Sequence, residues 1–245
     1  MSVMTEERFL QDVAGHQMFV LHEDDVYRHI RFRKPGTGDM HFDLITWPGS
    51  LCYTGDMGTF VFERTRDMFE FFRRPERCRY SIDMRYWAEK VQAGDNSGAG
   101  NGVKKFSKEK FDANVRRWLE DFIKSEIEEA EGLGEVDLCT RAMNDLRAEV
   151  ESEVIGADDS DVRCYDAAND FRFDANDSEA WRTYYGGEKT FEFVDFWEVD
   201  HTEYTGRFQW CCLALSWAMQ VYDKAKTDAG RDPRVADMFA NGGAA

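Results

Sequence analysis

The residue types able to do chemistry are scattered along this chain, and few of them form motifs. Six cysteines stand at positions 52, 78, 139, 164, 211 and 212 without a C-x-x-C pair, and Cys211 and Cys212 are adjacent in an apolar run. This usage predicts reduced, packed thiols in place of a zinc site or a disulfide framework. The five histidines, His16, His22, His29, His41 and His201, show no H-E-x-x-H or paired spacing and have no C-x-x-C pair to accompany them, so they carry no metalloenzyme signature. His29 and His41 fall on neighbouring predicted strands, where they either meet or stand as ordinary sheet residues. Ser50 follows Pro48 and Gly49 with no G-x-S-x-G elbow. Neither E-x-K nor D-x-K occurs, which removes the usual restriction-type nuclease signature. Oxygen ligands are more plentiful: Asp158, Asp159 and Asp161, or Asp174, Asn176 and Ser178, could hold a divalent cation. The second set lacks the glycine and distal glutamate of an EF-hand loop, with Glu179 at the sixth position and Tyr185 at the twelfth. The sequence therefore assigns no catalytic residue, no metal and no cofactor. A metal-dependent enzyme built on 158–177 stands as the alternative.

The other chemistry on offer is charge. The chain carries 48 acidic and 31 basic side chains in 245 residues, a net of −17. Residues 120–203 hold 26 acidic and 7 basic side chains, whereas the remainder holds 22 and 24. A generic nucleic-acid binder needs a basic surface, and an anionic membrane attracts one, so both roles are disfavoured. Within the acidic window Asp145, Glu149 and Glu153 repeat at i, i+4 spacing, while Asp121 and Glu128 stand on the preceding helix with Glu129 and Glu131 near its end. Like charges one turn apart repel, and acids near a helix C-terminus oppose its dipole. Folding gains nothing from this arrangement. A surface of closely spaced carboxylates imitates a polyanion and suits the nucleic-acid groove of another protein; the plainer reading is a solvated face that keeps the chain soluble. The candidate partner surface is Asp121, Glu128, Asp145, Glu149, Glu153, Asp158, Asp159 and Asp161. Trp181, Tyr184 and Tyr185, beside Gly186 and Gly187, are either its aromatic anchors or part of the core.

These side chains need elements to hold them. At 42 % hydrophobic and 14 % aromatic, the chain has the apolar content to fold. Thr5 predicts an N-cap for a helix to about Ala14. Strand-like segments follow at 17–21, 26–33, 40–46, 51–54 and 59–63. They alternate in polarity and are joined by short turns, Trp47-Pro48-Gly49-Ser50 reading as type II. Thr65 predicts the cap of a helix through Arg74, and another short helix covers 82–91. Gly-rich 94–105 reads as a linker or exposed loop. Beyond it, Ser107 caps a helix to about Ala130 with the stripe Phe111, Val115, Trp118, Phe122 and Ile127. A second helix runs from about Asp137 to Ile155, and 190–199 reads as a strand. Residues 206–226 are apolar nearly all round, as a central buried helix would be. The expected fold is α+β, an N-terminal antiparallel meander with flanking helices and a mainly helical C-terminal half. The expected division is 1–93, a linker at 94–105, an acidic helical region at 106–235 packed on the first, and a flexible tail at 236–245. The N-terminus lacks a signal-peptide layout and the longest apolar run is Trp210 to Leu215, which predicts a soluble intracellular protein.

Two stretches, HFDLITWPGSLCYTGDMGTFVFERTRDMFEFFR at 41–73 and FQWCCLALSWAMQVYDKAK at 208–226, together resemble a family of accessory proteins encoded by tailed phages and prophages. There the TWPG, TGDMGTFVF and DMFEFF blocks open the chain and a Trp-Cys-rich helix closes it. The resemblance covers about a quarter of the chain and implies a scaffold. It further implies an inhibitor of host defence acting in the host cytoplasm, of the anti-CRISPR, anti-restriction or anti-Gabija kind. Its partner would be a defence nuclease or CRISPR-type effector with a basic groove. Direct contact with nucleic acid or membrane is not expected, and homo-oligomerisation is left open. A virion structural or morphogenesis protein is the other reading from a phage setting.

Overall fold

The computed structural model describes residues 4–75, 82–94, 102–157, 160–231 and 233–240. In chain order the elements are α1 (Glu6–Asp12), β1 (Gln17–Asp24), β2 (Tyr27–Arg33), β3 (Phe42–Trp47), β4 (Ser50–Gly55), β5 (Gly58–Glu63), α2 (Met68–Phe72), α3 (Met84–Ala88), β6 (Val91–Ala93), β7 (Lys104–Phe106), α4 (Lys108–Leu133) and α5 (Val136–Val150). A π-helical turn (Glu151–Ile155) follows, then α6 (Asp161–Asp170), β8 (Arg172–Phe173), α7 (Glu179–Tyr185), β9 (Phe191–Glu192), a 3-10 turn (Phe196–Glu198), β10 (Thr202–Tyr204), α8 (Gly206–Ala229) and α9 (Pro233–Ala240). The fold is α+β. No helix of the described residues is long and apolar enough to cross a membrane.

The chain forms two compact units, Met1–Lys105 with Tyr204–Ala245, and Phe106–Glu203. The second unit is thus an insertion within the first. The expected boundary near 106 coincides with the observed one. The expected extent to 235 does not, because α8 and α9 belong to the meander unit. The reason is burial. Among the described residues the sheet is six-stranded and antiparallel, in the order β1-β2-β3-β4-β5-β6. Alternation places Ile30, Phe32, Phe42, Leu44, Leu51, Tyr53, Phe60 and Phe62 on one face, and all eight are fully buried. A face this apolar needs a cover, and α8 supplies it. Trp210 stands 5.6 Å from Phe42, Trp217 5.4 Å from Phe32 and Phe208 5.5 Å from Phe60, ring centre to ring centre. Helices α1, α2, α3 and α9 contact α8 in turn, which explains why it is apolar on nearly every side.

Polar contacts fix the ends of this packing. The Trp210 indole donates to Asp12 (3.1 Å) and the Tyr222 hydroxyl to Glu23 (2.8 Å), while Arg73 forks onto Asp223 (2.9 Å). Two turns carry strict backbone demands. Gly49 has φ +87°, as the third position of a type II turn requires. Gly55 opens the β4–β5 hairpin, where a Cβ would fall 2.2 Å from the His41 carbonyl oxygen. The adjoining Asp56 accepts the Met40 N–H at 2.9 Å. The helix expected from Thr65 begins instead at Asp67, whose carboxylate accepts the Phe69 N–H (2.9 Å) and pairs with Arg28 at 2.9 and 3.0 Å. The linker expected at 94–105 lies in part outside the described residues. Its described end differs from the reading: Gly102 accepts from the Thr205 hydroxyl and Lys104–Phe106 is strand.

The insertion leaves the meander unit at neighbouring points, since Thr205 N–H donates to the Val103 carbonyl at 2.9 Å. Joining 105 to 204 through a short Gly-Ser linker is therefore expected to leave a unit that unfolds cooperatively in urea. A chain ending at 203 keeps the apolar sheet face without its cover and is expected to show no cooperative transition for the meander unit, followed by tryptophan fluorescence and circular dichroism.

Candidate functional site

The inserted unit builds its core from α4, α5, α6 and the aromatic segments beyond. Ser107 caps α4 through the Lys110 N–H and Gly134 ends it in the left-handed conformation. The buried stripe of α4 is Phe111, Val115, Leu119, Ile123, Glu126 and Ala130, so Trp118, Phe122 and Ile127 flank it as partly buried side chains. The second helix leaves α geometry at Val150 and passes through the π turn Glu151–Ile155. His201 is fully buried, donates from Nε2 to the Phe196 carbonyl (3.2 Å) and meets Asn114 at Nδ1 (3.0 Å). Burial holds its pKa below the usual histidine range, which keeps it neutral.

The unit's electrostatics are one-sided. Its 28 acidic and 11 basic side chains give −17, the net charge of the whole chain, while the meander unit holds 20 of each sign. Several of the basic groups are already engaged: Arg116 forks onto Glu151 (2.8 Å), Arg147 onto Glu120 (2.9 Å), and Lys108 binds Asp112 (2.5 Å). The ridge of α5 is left with like neighbours. Burial and the adjacent Glu153 and Asp177 carboxylates push the Glu149 pKa above the usual range.

The expected site residues separate into sets. Asp145 and Glu149 stand on α5 and Glu153 follows in the π turn, next to Glu149; Asp145 accepts the Ser178 hydroxyl at 2.6 Å. Ser178 in turn caps α7, so Asp145 also serves the fold. Asp121 and Glu128 are exposed on the flank of α4 turned away from its buried stripe, and Lys124 stands 3.9 Å from Glu128. Asp161 opens α6 and accepts the Val162 N–H (2.8 Å). Asp158 and Asp159 lie outside the described residues. The aromatic anchors need correction. Trp181 is fully buried, and its indole donates to the Lys189 carbonyl (2.8 Å), so it is core and unavailable to a partner. Tyr184 and Tyr185 are half-buried, and the Tyr185 hydroxyl donates to Glu126 at 2.5 Å, where Lys189 also binds at 2.6 Å. Burial and that carboxylate raise the Tyr185 pKa, and burial beside Cys139 takes Tyr184 up to about 12. This trio neutralises a buried carboxylate, as a charge under the surface demands.

The Asp-rich loop has a backbone role. Asp177 accepts the Asp174 N–H (2.8 Å) and Asp174 accepts the Asn176 N–H (2.7 Å), a turn held by its own side chains. Among the described residues no three His, Cys, Asp or Glu side chains converge as a metal would require. His29 and His41 do not meet, because β2 and β3 place the Arg31–Asp43 pair between their rows. Cys211 and Cys212 are fully buried, and burial raises both thiols well above the usual range, so neither is a ready thiolate.

One surface feature was missed by the sequence reading. Residues 190–199, expected as a strand, pair only over Phe191–Glu192 before Asp195 turns the chain at φ +55°. That turn sends Phe193 and Phe196 inward, leaving Val194 and Trp197 61 % and 59 % exposed among Glu192, Asp195 and Glu198. Compared with protein-family models, with curated proteins and with solved structures, the chain matches none.

Because Glu149 titrates high, its charge is a cost to the fold that is fully present above its titration range and disappears when acid protonates it. Glu149→Gln is therefore expected to stabilise the inserted unit at pH 7 by some tenths of a kcal/mol. The gain, read from the urea midpoint, should vanish below pH 4 and shrink in about 1 M salt.

Proposed function

We propose that this chain is an inhibitor of a host defence system. It uses the meander unit as a neutral scaffold and the inserted unit as an acidic surface that enters the basic nucleic-acid groove of a defence nuclease or effector. The observation that carries this reading is the segregation of charge: the entire −17 lies in Phe106–Glu203, and the surrounding unit is balanced. Solubility alone asks for no such partition. The end of α5 and the π turn after it keep Glu149 against Glu153 at a cost to stability, which suits a surface selected for an external cation. Trp197, exposed among carboxylates, supplies the kind of aromatic anchor that carries binding energy at interfaces. The resemblance of the two terminal blocks to tailed-phage accessory proteins supplies the setting, the host cytoplasm.

The test is affinity capture from cells carrying defined defence systems, followed by binding measurements on the purified pair. The complex is expected to weaken with salt and to be displaced by duplex DNA. Reversing Glu149 and Glu153 to Lys should lower affinity about tenfold or more, and Trp197→Ala should cost about 2 kcal/mol. Asp145 is left intact because it accepts the Ser178 hydroxyl. Affinity indifferent to salt, DNA and the double reversal would exclude the acidic surface as the binding face.

A further inference from the structure

The meander unit carries its own recognition feature, on the sheet face turned away from α8. On β2, Arg31 and Arg33 share this face with His29, because alternate residues point the same way. Beside them the chain turns through Lys34-Pro35-Gly36-Thr37-Gly38-Asp39 into His41. Arg31, Arg33, Gly36, Thr37, Gly38 and His41 line an open cleft of about 450 Å³. Its cations differ in how they are satisfied. Arg31 gives Nε and Nη2 to the two oxygens of Asp43 at 2.8 and 2.9 Å, and His29 occupies the same carboxylate at 2.7 Å. Asp43 is thus fully used, and Arg31 keeps Nη1 outside that fork. Arg33 has no carboxylate partner among the described residues. Its guanidinium lies 5.3 Å from the Phe19 ring centre, and its Nε is buried with no acceptor. Of the buried side-chain nitrogens left without a partner, this one belongs to a residue of the cleft. The imidazole of His41 is fixed through Nδ1 on the Gly38 carbonyl at 2.7 Å, which leaves Nε2 on the far side of the ring.

A guanidinium at the wall of a cleft with no carboxylate partner is a donor set lacking its acceptor. The Arg33 guanidinium, with Arg31 Nη1 on the same face of β2, matches the oxygens of a phosphate group better than those of any neutral ligand. The cleft is also larger than a phosphate ion and falls in the size range of sites for small organic ligands. We propose that it binds a phosphate monoester, with the phosphate on Arg33 and Arg31 Nη1 and the organic body along the Gly36–Gly38 turn. This goes beyond the inhibitor reading and involves none of the residues that reading uses.

Calorimetry on the full chain with inorganic phosphate, adenosine monophosphate and acetate tests it. Saturable binding of adenosine monophosphate is expected, weakened about tenfold or more in Arg33→Met by loss of a charged hydrogen bond. Arg33→Lys, which keeps the charge and loses the fork, should lie between the two and guards against a folding defect in the first variant. Phosphate bound as tightly as the nucleotide assigns recognition to the phosphate group alone, and nucleotide bound more tightly adds the organic body; both support the site. Absence of saturable binding to either phosphate probe, acetate bound as well as phosphate, or wild-type affinity in both Arg33 variants would overturn it.

Discussion

The constraint on which the meander unit depends is a single apolar sheet face that has to be covered. Strands β2 to β5 bring Ile30, Phe32, Phe42, Leu44, Leu51, Tyr53, Phe60 and Phe62 to that face, and none of them retains contact with water. The helix that covers them begins at Gly206. Everything between must therefore leave and return without disturbing the sheet. The Val103–Thr205 bond on one side and the Ser107–His201 bond on the other hold the leaving and returning strands of each unit together. Closing so long a loop costs only logarithmically more than closing a short one, so a large insertion is thermodynamically tolerable when its ends are adjacent.

This arrangement separates two requirements that conflict within one core. A scaffold gains from balanced charge and buried aromatics, and the meander unit has both. A surface meant for a cationic partner gains from unbalanced charge, which works against folding. The inserted unit meets that conflict by burying a dense aromatic cluster around Phe111, Trp181, Phe191 and Phe196. Among the described residues its one deeply placed carboxylate, Glu126, is held between Tyr185 and Lys189, and its other acids are at least partly exposed.

Local signals in the sequence were legible, and long-range ones were not. Alternation gave the strands within one to three residues at each end, Pro48-Gly49 gave its turn, and Thr5 and Ser107 gave their caps, because each acts over a few residues. Thr65 was the wrong cap because Asp67 is also held by Arg28, 39 positions away. The all-round apolarity of α8 announced a central helix but not which sheet it would cover. For the site, the clustering of charge was visible from counting alone. The fate of the aromatics was not. Trp181 and Trp197 both neighbour acidic residues in sequence, and only the left-handed turn at Asp195 puts one in solvent while the other is core. Glu126 did leave a trace, since it stands in register with Leu119, Ile123 and Ala130 on the buried stripe of α4.

The position of α8 also sets an order of events during synthesis. A ribosome completes the sheet by Ala93, yet its cover emerges more than a hundred residues later, after the whole inserted unit. Phe106–Glu203 holds a core of its own, whereas the nascent meander has its aromatic face unprotected until α8 is made. Exposed apolar sheet of this kind is where nascent chains misassemble, so the interval before α8 arrives is the step at which the meander unit is open to aggregation.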